Sequence, residues 1–84
     1  MKHIICSIYD TATEAYMRPF TAQSSGQAMR MFEDEARRPE SEIGKHPEDY
    51  ALFKIATFDD NRGHIEPIEP ICLRRAHEIS KQED

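Results

Sequence analysis

The chain has no tryptophan, only three glycines and two cysteines, and fewer basic residues than acidic ones, 11 against 16. Each scarcity removes a class of protein. Cys6 and Cys72 lie far apart and have no further cysteines beside them. They cannot make the dense disulfide framework of a small secreted domain, and a reducing cytoplasm suits them better. Glycine is too sparse for a phosphate-cradling loop, and neither a nucleophile elbow nor a paired-carboxylate metal motif is present. The expectation is a protein that is not an enzyme and needs no cofactor. Long apolar runs are missing too. Ile4-Ile5-Cys6 follows Lys2 but ends at Tyr9-Asp10, far too early for a signal peptide or a membrane span. The net charge of −5 and pI of about 5.3 argue against tight sequence-independent nucleic-acid binding, which rests on Lys and Arg displacing counterions from phosphates.

What is there is one domain of 84 residues with a mean hydropathy of −0.76. A core of that size supplies roughly 3–5 kcal/mol of net stability, so a homo-oligomer that adds partner surface is expected. Residues 2–9 alternate as a strand, with Ile4, Cys6 and Ile8 on one face and His3, Ile5, Ser7 and Tyr9 on the other. A polar connection leads to a second strand over 15–22, with Tyr16, Arg18, Phe20 and Ala22 on one side. Pro19 there cannot donate to a ladder and marks a sheet edge. Ser24 or Ser25 caps a helix running to about Arg37, whose apolar face is Ala28, Met29, Phe32 and Ala36, with Met31 at its margin. Pro39 stops it.

Residues 39–49 read as a loop in which Pro47 opens a single helical turn. Residues 50–58 form the clearest strand, apolar on both faces, which suggests a central position and a second face covered by a partner subunit. Asp59-Asp60-Asn61-Arg62-Gly63 is a turn and His64-Ile65-Glu66 a short strand, broken by Pro67 and Pro70. A short helix over 71–80 would place Cys72, Leu73, Ala76 and Ile79 on one face, and the tail from about 80 frays. The fold expected is therefore α+β: an antiparallel sheet of about four strands in the order β-β-α-β-β, with one main helix packed on one face and a short C-terminal helix.

Three groups of residues invite a chemical reading. His3, Cys6, Cys72 and His77 have the donor types of a zinc site, but residues three apart on a strand point to opposite faces, so Cys6 is read as core and no metal is expected. His46, Glu48 and Asp49, with His64, have acid–base side chains but no pocket to shift their pKa values. The plainer reading is a structured entry to the strand, with Pro47 fixing the turn and Glu48 or Asp49 capping amides. For nucleic acid the cations are Arg37, Arg38 and Lys45 around the helix end and Arg74 and Arg75 near the C-terminus, with Arg18 and Lys54 on the strands. Tyr16, Phe20, Tyr50 and Phe53 would stack on single-stranded bases if a sheet face were open.

An ordered set of motifs runs through the chain: Ser7-Ile8-Tyr9-Asp10, Arg18-Pro19-Phe20, Gly26-Gln27-Ala28-Met29-Arg30-Met31-Phe32, then Lys45-His46-Pro47-Glu48-Asp49-Tyr50-Ala51-Leu52-Phe53 and Phe58-Asp59. In order and spacing it resembles the small non-structural protein of gokushovirus-type microviruses, tailless phages with single-stranded DNA genomes, over roughly residues 2–68. That family is commonly labelled DNA-binding or single-stranded-DNA-synthesis protein. The resemblance implies a non-structural protein of the host bacterial cytoplasm that acts in synthesis or packaging of single-stranded genomes, with single-stranded DNA as partner. The acidic balance and small core favour a second reading, a homo-oligomeric regulator that binds a phage replication or capsid protein or a host factor and not DNA.

Overall fold

The computed structural model describes residues 1–79. Its centre is β1, Lys2–Asp10, whose alternation sends Ile4 and Cys6 into the core with Ile8 packed against it. The strands β2 (Ala15–Tyr16) and β3 (Phe20–Ala22) both pair antiparallel with one edge of β1. On its other edge lies β4 (Tyr50–Asp59), followed by β5 (His64–Arg75), again antiparallel. Since β3 and β4 both oppose β1, they run parallel to each other, and the chain between them must cross over β1.

That crossover is helix α1, Ser25–Arg37. The Ser24 hydroxyl accepts a hydrogen bond from the Gln27 amide at 3.1 Å and so closes its first turn. Ala28, Phe32 and Ala36 are buried, Phe32 to 2% exposure, against Ile4, Cys6 and Leu52. Met31 is 49% exposed, as its marginal place on the helical face implies. The result is two layers, helix on sheet, with extents of 45 × 29 × 17 Å.

The expected α+β architecture is what forms, with differences in detail. The second strand is two short pieces, because the regular ladder breaks over Met17-Arg18-Pro19, with Met17 still donating its amide to the Ile8 carbonyl at 2.8 Å. The interruption also changes the phase. Tyr16 pairs with Tyr9, whereas Phe20 pairs with Cys6, so the two rings face opposite sides of the sheet and not one side. The loop after α1 contains a turn of helix, α2 (Glu42–Lys45), capped by the Ser41 hydroxyl and buried at Ile43. A 3-10 turn at Pro47–Asp49 follows, as the proline foretold.

The largest departure is at the C-terminal end. Residues 64–75 are one strand, and the helix expected over 71–80 is reduced to a 3-10 turn at Ala76–Glu78. Pro67 and Pro70 are tolerated because β5 is an edge strand, and the register shift opposite Lys54 to Ala56 absorbs Pro70. The fraying expected from about residue 80 lies outside the described residues.

Candidate nucleic-acid interface

Strand pairing sorts the sheet's side chains into two faces, since residues directly opposite in a ladder share a face. Cys6, Ile8, Tyr50 and Leu52 take the helix side, and Arg74, opposite Leu52, goes with them. The other face carries Tyr16, Tyr9, Ala51 and Arg75 as one cross-strand row. Ser7, Phe53 and Cys72 form the next row, and His3, Phe58 and Ile65 lie at the far end. Tyr9, Tyr16 and Phe53 of this bare face take no part in the buried cluster that the helix shares with the sheet, although Ser7, Ala51 and Ala56 between them are buried.

Three rings meet there. Tyr9 and Tyr16 have centroids 4.9 Å apart, Tyr16 and Phe53 5.6 Å, and Tyr9 and Phe53 6.4 Å, all edge-to-face. That geometry suits the ring quadrupoles. Tyr16 is 44% exposed. Beneath them the fully buried Ser7 donates its hydroxyl hydrogen to the Met17 carbonyl at 2.6 Å, which ties the chain after Tyr16 to β1.

Charge is divided between the two faces. In the paired register Asp10, Asp59 and Glu66 all take the helix-side phase, and none of the paired residues on the bare face is acidic. Glu69 falls in the irregular stretch between Pro67 and Ile71 and belongs to neither. Arg75 is exposed on the bare face, and among the described residues no carboxylate pairs with it.

The other expected cations sit differently. Arg37 and Arg74 converge on Glu33, at 3.8 and 3.2 Å. Arg74 Nε is buried and not aligned for a hydrogen bond, so its contact is one of charge. Arg38 is held between Glu35 at 3.3 Å and Glu40 at 3.1 Å, which raises its pKa, mainly through the hydrogen bond to Glu40. Lys45 is exposed in the last turn of α2. Helix-end cations and Arg75 thus belong to opposite faces. Of the rings expected to stack, Tyr16 and Phe53 are on the bare face, while Phe20 and Tyr50 pack against the core. Tyr9 was missed as a stacking ring, although its alternation with His3, Ile5 and Ser7 had already placed it away from the core.

The remaining groups are structural in their contacts. The zinc-type donors are divided: Cys6 is buried on the helix side and Cys72 lies on the bare face. His3 Nε2 sits 2.8 Å from Asp60, which also binds the N-terminal amine at 2.9 Å. His46, Glu48 and Asp49 bring their donor atoms within 4.8 Å of one another, on the surface. Asp49 accepts from the Thr11 hydroxyl at 3.2 Å and its carbonyl from the Thr11 amide at 2.9 Å, so the segment buttresses the β1–β2 turn and not an amide of its own. The 3-10 turn there has no side-chain cap. Tyr50 next to it has its pKa raised by burial and then by Asp10, Glu42 and Asp49.

These features define a two-layer α+β protein with one sheet face under a helix and one bare, aromatic and free of acid in its paired register. The chain belongs to the family described as phage ORF5 protein, whose family model matches residues 3–79. No curated protein and no solved structure matches it. No helix among the described residues is long and apolar enough to cross a membrane.

Proposed function

We propose that this phage protein is a non-structural accessory factor of the gokushovirus type, acting without catalysis on single-stranded genomes during their synthesis or packaging in the host cytoplasm. The observation that carries direct DNA contact is the separation of charge. A chain of net charge −5 repels phosphate as a whole, yet the acids within its ladders, Asp10, Asp59 and Glu66, all take the helix side of the sheet. Of Arg37, Arg38, Lys45, Arg74 and Arg75, the two most available for phosphate are Arg75 and Lys45, which are exposed and in no ion pair among the described residues. Arg37, Arg38 and Arg74 are engaged with carboxylates that a phosphate must displace. Binding is therefore weak and steeply salt-dependent. Retention of the protein on single-stranded DNA at low salt, and its release at moderate salt, is the expected result; no retention at low salt rejects direct contact.

One observation favours the second reading, an acidic homo-oligomeric regulator that engages phage replication, procapsid or host proteins. At the far end of the bare face Ile65 is 56% exposed beside Phe58, an apolar surface with a use in self-association. Light scattering above the 9.8 kDa of the monomer at high micromolar concentration supports it, and a monomer at that concentration rejects it.

A further inference from the structure

We infer that Tyr9, Tyr16 and Phe53, with Arg75 beside them, form a base-stacking subsite for single-stranded nucleic acid. The inference rests on the DNA-contact reading above and gives that contact a place. Four observations point to unpaired bases as the occupant. The rings lie on the side of the sheet away from Cys6, Ile8 and Leu52 and take no part in the helix–sheet core. Their mutual edge-to-face packing gathers them into one aromatic cluster, with Tyr16 half-exposed at the sheet edge. The face has no acid in its paired register to repel phosphate. Arg75 follows Ala51 in the row that starts at Tyr16 and Tyr9, two strands from Tyr9 or about 10 Å at the usual strand spacing, and offers the backbone a cation.

The chemistry decides between strands and duplexes. A base presents its π-face to a ring only when it is unpaired and unstacked, so a platform of this kind selects single strands and tolerates any base. Each stacked base lost to an aliphatic replacement weakens binding about 5- to 150-fold. The cation contributes through counterion release, about 0.7 in the logarithmic salt slope on a single strand.

The test uses the full chain and a labelled oligothymidylate of about a dozen nucleotides, followed by anisotropy at several salt concentrations, with a duplex of equal length beside it. Tyr16→Leu and Phe53→Leu keep apolar volume but remove the ring, and each should weaken binding at least about fivefold. Tyr16→Phe keeps the ring and should bind like the parent. Arg75→Gln should lower the salt slope by about 0.7, and Arg75→Lys should restore it. Circular dichroism confirms folding of each variant. The chain lacks tryptophan, so its emission comes from three tyrosines, two of them in the platform. Oligothymidylate should quench that emission in the parent and in Tyr50→Phe alike. If the parent binds and the folded leucine variants bind equally well, the subsite is wrong while the DNA reading stands on another surface. Equal affinity for the duplex overturns the subsite too. If the parent binds neither probe at low salt, both fall. A leucine variant that changes oligomeric state while keeping its affinity assigns the face to a second copy.

Discussion

Gly44 stands against the carbonyl oxygen of Arg38 so closely that a Cβ on Gly44 would lie 1.9 Å from it. Ser41 makes this corner. Its hydroxyl accepts from the Gly44 amide at 2.9 Å and faces the Glu35 and Arg38 carbonyls at 2.7 and 3.0 Å, drawing α2 back onto the end of α1. The obstructing atoms are backbone and cannot swing aside. Gly44→Ala should therefore destabilise the fold by about 1–3 kcal/mol, read as a lower urea midpoint. An unchanged midpoint would mean that the corner opens without cost.

Phe32 is the main ring that joins helix to sheet. Phe32→Ala leaves a cavity between α1 and the Ile4, Cys6 and Leu52 side chains. The expected loss is about 3–5 kcal/mol, enough to unfold much of so small a domain. A thermal transition like that of the parent would count against this packing.

A pH-dependent clasp joins the chain's start to the β4–β5 turn. Hydrogen bonds from the Met1 amine and then His3 hold the Asp60 carboxyl below the usual carboxylate range, and the same Asp60 bond raises the amine. A carboxyl depressed in the folded state stabilises fully above its ordinary pKa and loses that contribution as pH falls through the lowered one. A raised amine stabilises fully below its ordinary pKa and loses that contribution as pH rises through the raised one. The melting-temperature gap between parent and Asp60→Asn should be widest around neutrality and close at both extremes. The gap is small, since the groups are exposed. No gap at any pH would show that the clasp contributes nothing.

The thiols should differ in reactivity. Cys6 is fully buried, and burial pushes its pKa up. Cys72 is half-buried on the other face. A thiol reagent should modify Cys72 first, with Cys6 following only in denaturant. Two equally fast thiols in the native protein would contradict the assignment of faces.

The sequence made the core legible where periodicity was unbroken. Ile4, Cys6 and Ile8 at period two, and Ala28, Phe32 and Ala36 behind the Ser24 cap, lead directly to the helix-on-sheet layer. It failed where an irregular residue changed the phase. The stretch Met17-Arg18-Pro19 sets three residues against two of β1 and so turned Tyr16 and Phe20 to opposite faces, although their even spacing implied one. At the C-terminal end Leu73 is an extra residue between the Leu52–Arg74 and Phe53–Cys72 pairs. A bulge of this kind sets neighbours on one side and so imitates helical spacing, which is why Cys72, Leu73, Ala76 and Ile79 resembled a helix face. For the candidate site, residue types were readable but not their grouping, because Arg75 joins the tyrosines only through the register of β5.

The prolines have a consequence for the cell. A sheet grows into fibrils by offering a lone row of amides and carbonyls to the next chain. Here both outer rows are interrupted, one at Pro19 where β2 gives way to β3, the other at Pro67 and Pro70 along β5. Proline at both edges therefore disfavours strand-by-strand addition of one copy to the next.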